Sequence, residues 1–117
     1  MTDRAKEIAK IAYKALDDKK AEDIKIIDIS EISVIADYFV IANGTNSSQV
    51  EAMVDQVTEE LAKIKIHPER VEGIRSSGWI LMDFNDVVIH IFSREDRLFY
   101  DLERIWRDGK AVAPESL

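Results

Sequence analysis

The chain has 117 residues, no cysteine, and 23 acidic side chains against 16 basic ones, which gives a formal net charge of −7. This length fits a single domain over residues 1–117 that buries a core without a disulfide or a metal. The absence of thiols excludes disulfides, thiolate catalysis and cysteine-ligated metal sites. The acidic balance argues against direct nucleic-acid binding, which needs a basic stripe, and permits a basic protein partner, although ordinary solubility also favours mild acidity.

The N-terminal sequence MTDRAKEIAK is charged and has no apolar core of signal-peptide length. No stretch of the chain approaches 18 uncharged apolar residues, the length that indicates a transmembrane helix. We therefore expect a cytoplasmic protein that does not associate with membranes.

The first half of the chain predicts one helix and two strands. Residues 2–19 place apolar side chains at helical spacing after Thr2, a plausible N-cap. The β-branched runs at 24–29 and 37–43 predict strands. The link between these strands is too short for a helical crossover, so we expect them to pair antiparallel.

The next segment predicts a second helix, from Ser47 to Lys65, because Val50 begins a series of apolar residues at helical spacing. The pair His67-Pro68 closes this helix, since the residue before proline is pushed out of the α region. A short strand at 71–74 should follow.

Residues 78–92, GWILMDFNDVVIHIF, predict a β-hairpin. The dipeptide Asn85-Asp86 separates two runs of β-branched and aromatic residues, and Asn tolerates the positive φ of a two-residue turn. If Phe84 pairs with Val87, the register of the hairpin is set, and alternate residues fall on two different faces.

The two faces of the hairpin differ in chemistry. The first is entirely apolar and predicts core: Ile80, Met82, Phe84, Val87, Ile89 and Ile91. The second mixes apolar and polar groups: Trp79, Leu81, Asp83, Val88, His90 and Phe92. Two interpretations remain open for this second face, either a second core layer with internal polar partners or a docking surface with the residue mix of interface hot spots.

The C-terminal part predicts a third helix. Its start at Ser93 resembles a capping box with Asp96 in the acidic position, and apolar residues follow at helical spacing before Gly109 and Pro114 end it. The element order is αββαβββα, an α+β (α/β) fold with a mixed five-stranded sheet and flanking helices. If the first two helices share one face of the sheet, the other face is a large apolar patch, which favours the docking interpretation.

Three other sites are possible on chemical grounds. The segment Gly44–Ser48 precedes a helix N-terminus and could hold a phosphate, although any capped turn needs the same residues and no Walker lysine follows. Asp83 and Asp86 are the nearest carboxylate pair for Mg²⁺, but alternate strand geometry directs them apart. His90 lies diagonal to Asp83 and could bond it, either for acid–base chemistry or to orient a binding surface.

The chain resembles the Iojap family of bacterial and organellar ribosomal silencing factors. The resemblance runs from the first helix to Val112, through ADYFVIANGTNSSQVEAMVDQVTEEL and VEGIRSSGWILMDFNDVVIHIFSREDRLFYDLERIW. The ordered series that carries it is Asp37-Tyr38-Phe39, Gln49, Glu72-Gly73, Trp79, Asp83, His90, Arg97-Phe99-Tyr100 and Leu102-Glu103. Asn85 stands where the family usually has Gly, and Asn can adopt the same conformation with modest strain.

The resemblance implies a nucleotidyltransferase-like fold that has no known transferase activity, and since the sequence offers no metal constellation we expect neither a cofactor nor a metal. It further implies binding to the large ribosomal subunit through the fourteenth large-subunit protein, which blocks subunit joining when nutrients are scarce, and a homodimer when the protein is not bound. We assign partner binding to the second hairpin face and to two residues of the family series: Trp79, Leu81, Asp83, Val88, His90, Phe92, Arg97 and Tyr100.

Two competing hypotheses remain at the level of sequence. One is a nucleotide-binding or nucleotidyltransferase-like enzyme that uses the Gly44-Thr45 turn and scattered carboxylates. The other is a homodimer in which self-association consumes the apolar face. Binding of ATP with Mg²⁺ and sedimentation with ribosomal subunits would separate these hypotheses from a steric repressor of translation.

Overall fold

The computed structural model describes residues 3–31, 34, 36–73, 79–93 and 109–117. The two helices are α1 (Asp3–Asp18) and α2 (Ser47–Ala62). The strands are β1 (Glu22–Asp28), β2 (Tyr38–Gly44), β3 (Arg70–Glu72), β4 (Trp79–Asp83), β5 (Val87–Ser93) and β6 (Lys110–Ala111), and a short 3₁₀ turn spans Pro114–Ser116. The predicted α+β class is confirmed. The predicted third helix, the Thr2 cap and Ile74 lie outside the described residues.

The strands form one mixed sheet in the order β3-β4-β5-β2-β1-β6. Among the described strands, β2 and β5 are the one parallel pair, and β1 pairs antiparallel with β2 as predicted. Within the described ranges the sheet has six strands rather than the five predicted, because residues 110–111 pair with Ile27 and Asp28 at the edge beyond β1. A two-residue strand carries no periodicity, so the sequence pattern could not predict it.

Both described helices pack on the same face of the sheet, which is the arrangement that the docking interpretation requires. The apolar stripe of α1, from Ala5 to Leu16, and that of α2, from Val50 to Leu61, share one buried cluster with the sheet. The six residues of the first hairpin face all belong to this cluster, each with at most 4% of its surface exposed. The prediction that this face is core is confirmed.

Each of the two described helices is followed, two or three residues after its last residue, by a lysine in the left-handed conformation. Lys20 has φ 59° and Lys65 has φ 62°. In both cases the next residue donates its N–H to a helical carbonyl five residues back, Ala21 to Leu16 and Ile66 to Leu61, at 3.0 Å. This is the Schellman arrangement that usually employs glycine. Consequently α2 ends at Ala62, three residues before the predicted Lys65.

The hairpin of β4 and β5 has the predicted register. Trp79 pairs with Phe92, Leu81 with His90 and Asp83 with Val88. The Phe84 N–H donates to the Val87 carbonyl at 2.9 Å, and Asn85 adopts φ 70° in the turn. The turn therefore determines which side chains share the face opposite the helices.

Candidate partner-binding face

The sheet face opposite the helices brings together residues of three neighbouring strands in cross-strand rows. The middle row joins Ile41 of β2, His90 of β5 and Leu81 of β4. The rows on either side place Phe39, Val88 and Asp83 together, and Asn43, Phe92 and Trp79 together. We call the six predicted residues of β4 and β5 the docking face: Trp79, Leu81, Asp83, Val88, His90 and Phe92.

The docking face is part core and part surface. Val88, His90 and Phe92 on β5 are buried, with 5%, 4% and 0% of their surface exposed. Trp79 and Leu81 on β4 are only partly buried and pack against the edge of a second apolar cluster, and Asp83 is also partly buried. That cluster consists of Ile27, Ile29, Ala36, Phe39, Ile41, Val88 and Phe92. Of the six residues of the docking face, the three on β4 therefore keep exposed surface, and the three on the neighbouring strand β5 are buried beside them.

Three rings on this face lie nearly parallel. The Trp79 indole stacks on Phe92 with ring centroids 5.8 Å apart and an angle of 9° between the planes, and on His90 at 6.1 Å and 18°. Phe39 meets His90 edge-on at 4.7 Å and 61°. Aromatic pairs in these geometries gain about 0.5–1.5 kcal/mol beyond their area burial. The stack gives a partly exposed tryptophan a rigid support.

His90 is the polar residue at the centre of the stack. Its Nδ1 accepts the indole N–H of Trp79 at 3.3 Å. Its Nε2 is buried and has no hydrogen-bond partner among the residues that the structure describes. Burial lowers the pKa of His90 to about 4, so the imidazole is neutral near pH 7. A neutral ring that accepts at Nδ1 carries its proton on Nε2.

Asp83 does not bond His90, contrary to the predicted His–Asp pair. Its carboxylate accepts from the Arg70 Nε at 3.3 Å and from the Asn85 backbone N–H at 2.8 Å. Arg70 lies directly opposite Asp83 in the pairing of β3 with β4, whereas His90 is diagonal to it. The adjacent guanidinium offers a charge-assisted bond that a neutral imidazole cannot match.

Charged side chains flank the apolar centre of this sheet face. At the β3 edge, Arg70 and Glu72 are exposed and lie 3.2 Å apart. On the other side, Lys25 of β1 is exposed and pairs in register with Ile41. An apolar and aromatic centre with a charged rim is the usual anatomy of a protein interface.

Gly73, just after β3, allows the chain to pass close to the beginning of β4. It has φ 95°, and a Cβ at this position would collide with the Trp79 carbonyl oxygen. Glycine tolerates both the positive φ and the close approach. The position of Trp79 therefore depends on a residue that the sequence analysis used only as part of the family series.

At the Gly44–Ser48 turn, two backbone N–H groups already donate to protein acceptors. The Thr45 N–H donates to the Gln49 Oε1 at 2.6 Å, and the Gln49 N–H donates to the Asn46 side chain at 2.9 Å. The Gln49 amide also donates to the carbonyls of Lys19 and Lys20. These contacts occupy two of the backbone donors near this helix N-terminus that a phosphate could otherwise use. Across the described ranges, no group of three or more His, Asp or Glu residues is placed to hold a metal ion.

The sequence analysis missed Phe39, Ile41 and Arg70 as parts of this face. Strand β2 is buried on both sides, so its residues show no alternation that would separate the two faces. Arg70 could have been found only from the pairing of β3 with β4. The predicted partner residues Arg97 and Tyr100 lie outside the described residues. Neither described helix is long and apolar enough to cross a membrane.

Comparisons with known proteins agree with the resemblance in the sequence. A family model described as "Ribosomal silencing factor during starvation" matches residues 2–117. The ribosomal silencing factor of Bacillus subtilis is 41% identical over 104 residues, which cover 89% of this chain and 88% of that protein. The chloroplastic protein Iojap of Arabidopsis thaliana is 34% identical over 108 residues, which cover 92% of this chain and 43% of that protein.

A solved structure shows the same fold. The crystal structure of a protein from Chromobacterium violaceum superimposes with a TM-score of 0.84 and 32% identity, covering 97% of this chain and 92% of the other. The mixed sheet, the shared helix face and the sequence identity therefore point to one family. The chain belongs to the ribosomal silencing factor family.

Proposed function

We propose that this cytoplasmic protein represses translation by binding the large ribosomal subunit through its fourteenth protein, and that the bound protein blocks subunit joining when nutrients are limited. Relatives are named for ribosomal silencing, and a mouse relative is named for assembly of the mitochondrial large ribosomal subunit. The observation that carries the proposal is Trp79, a partly exposed indole on a rigid stack, with a charged rim beside it. Trp and Arg dominate interface hot spots.

Steric occupation of an interface requires no chemistry, and we propose that the protein is not an enzyme and uses no cofactor. In support, two of the backbone N–H groups that could bind a phosphate at this turn already donate to protein, that of Thr45 to Gln49 and that of Gln49 to Asn46. Calorimetric titration with ATP and Mg²⁺ should therefore show no binding heat. Saturable heat would favour the nucleotidyltransferase-like alternative.

Binding to separated subunits tests the central proposal. The protein should co-sediment with purified bacterial large subunits and not with small subunits. Equal recovery with both subunits, or with neither, would refute the proposal.

A matched pair of variants tests the docking face. Trp79→Ala should weaken large-subunit binding by at least ~2 kcal/mol, the usual threshold for a hot spot. Ile89→Ala, on the helix-covered face, should cost about 2–5 kcal/mol of stability and leave the affinity of the folded fraction unchanged. Thermal melts and binding titrations on both variants supply the measurement. A Trp79→Ala protein that unfolds early and binds normally would show that Trp79 serves the core.

We also propose that the unbound protein is a homodimer, on the strength of the family resemblance. Sedimentation velocity of the protein alone should show a species of twice the chain mass. The same measurement on Trp79→Ala will indicate whether the dimer uses the docking face. If it does, this variant should lose the dimer as well as large-subunit binding.

A further inference from the structure

We propose that His90 positions Trp79 for docking, because its neutral imidazole accepts the indole N–H and so selects one of the two orientations that the aromatic stack allows. This inference rests on the proposed function, since it concerns how the same face is prepared for a partner. His90 itself is 4% exposed and does not reach a partner directly. It acts through the tryptophan above it.

The stack alone does not determine how the indole is oriented. Trp79 is nearly parallel to Phe92 and to His90. A half-turn of the indole about its Cβ–Cγ bond keeps the ring parallel to the stack. It exchanges the edge that bears the N–H with the opposite edge. The bond from the Trp79 Nε1 to the His90 Nδ1 at 3.3 Å distinguishes the two orientations. A fixed orientation lowers the entropy that must be lost on binding.

The unpartnered side of His90 supports this role. A buried donor without a partner destabilises a fold, and the His90 Nε2 has no partner in the described part of the chain. A phenyl ring would fill the same space between Phe39 and Phe92 without this cost. The group that imidazole supplies and a phenyl ring lacks is the acceptor at Nδ1, and the described group that uses it is the Trp79 indole.

Protonation would abolish the acceptor, so the charges around His90 matter. Among the described residues, β2 and β5 place no ionisable group beside it on this face. On β4 the diagonal neighbour Asp83 is engaged by Arg70. The more distant charged residues of the face are Glu72 on β3 and Lys25 and Glu22 on β1. Burial dominates over these charges and lowers the pKa of His90, which keeps the acceptor available at neutral pH.

A double-mutant cycle tests the coupling between the two residues. His90→Phe preserves the ring and removes the acceptor, and Trp79→Phe preserves a ring and removes the donor. Against purified bacterial large subunits, His90→Phe should weaken binding about threefold to tenfold, the value of one hydrogen bond. In the Trp79→Phe background the same change should alter affinity less than about twofold. A loss of equal size in both backgrounds, or no loss in the parent, would overturn the proposal.

The indole resonance tests the positioning without any ribosome. In a ¹⁵N-labelled protein, the Trp79 Nε1–H signal, identified by its absence in Trp79→Phe, should exchange slowly with solvent, and in His90→Phe it should shift and exchange faster. An indole signal that is identical in the parent and in His90→Phe would refute the positioning role. Failure of the parent to bind large subunits, with the indole signals as expected, would instead refute the proposed function and the docking role of His90 while leaving the orientation of the indole established.

Discussion

At the scale of single residues, His90 makes the stability of the fold depend on pH. Its pKa is about 4 in the folded protein, against an ordinary value of 6.5. Between these values the unfolded chain binds the proton more readily, so protonation favours unfolding. The contribution of the neutral ring is complete above pH 6.5 and is lost as the pH falls towards 4. The shift corresponds to roughly 3 kcal/mol.

Thermal melts from pH 7 to pH 4.5 measure this dependence. The parent protein should lose stability over this range more steeply than His90→Phe, which has no group to protonate at that position. Carboxylates titrate in both proteins, so the difference between the two curves isolates the histidine. His67→Gln, at an exposed loop position, serves as the control and should follow the parent. Parallel curves for parent and His90→Phe would contradict the assignment.

At the scale of elements, the hairpin shows what a sequence pattern can determine. Asn85-Asp86 fixed the register because two-residue turns permit few alternatives, and alternation then assigned every side chain of β4 and β5 to a face. The helix stripes were equally predictable, since α1 and α2 each follow a 3.6-residue period. Local geometry was sufficient in both cases.

Other features of the elements depend on contacts that are remote in sequence. A lysine follows α1 and α2 at the position where glycine usually signals the end of a helix. The periodic pattern therefore predicted an α2 that is three residues too long. Strand β6 is defined by its pairing with the edge strand β1, which is far from it in sequence. The predicted His–Asp pair was wrong because Arg70, brought in by β3, competes for Asp83. Half of the docking face is buried because Phe39 and Ile41 arrive from β2.

At the scale of the whole molecule, net charge should act in opposite directions on the two proposed interactions, homodimerisation and docking to the large subunit. The chain carries a net charge of −7, so two copies repel each other, whereas a basic ribosomal protein attracts either copy. Added salt shortens the screening length, from roughly 10 Å at 0.1 M to 3 Å at 1 M. Screening should therefore favour the homodimer and weaken docking. The apolar centre of the docking face limits the loss of affinity, because burial of Trp79 and Leu81 does not depend on salt in the same way.

We expect salt to change dimerisation and docking in opposite directions when monovalent salt rises from about 0.05 M to about 0.3 M at constant Mg²⁺. Sedimentation velocity should show the fraction of homodimer rising, and titration of large subunits should show affinity falling mainly through slower association. Arg70→Gln provides the control at the rim. It removes the positive charge that engages Asp83 and Glu72, leaves a more acidic face, and should steepen the salt dependence of docking. If added salt weakens the homodimer as well as docking, ion pairs hold the dimer together. If the affinity for large subunits does not respond to salt, charge has no part in docking.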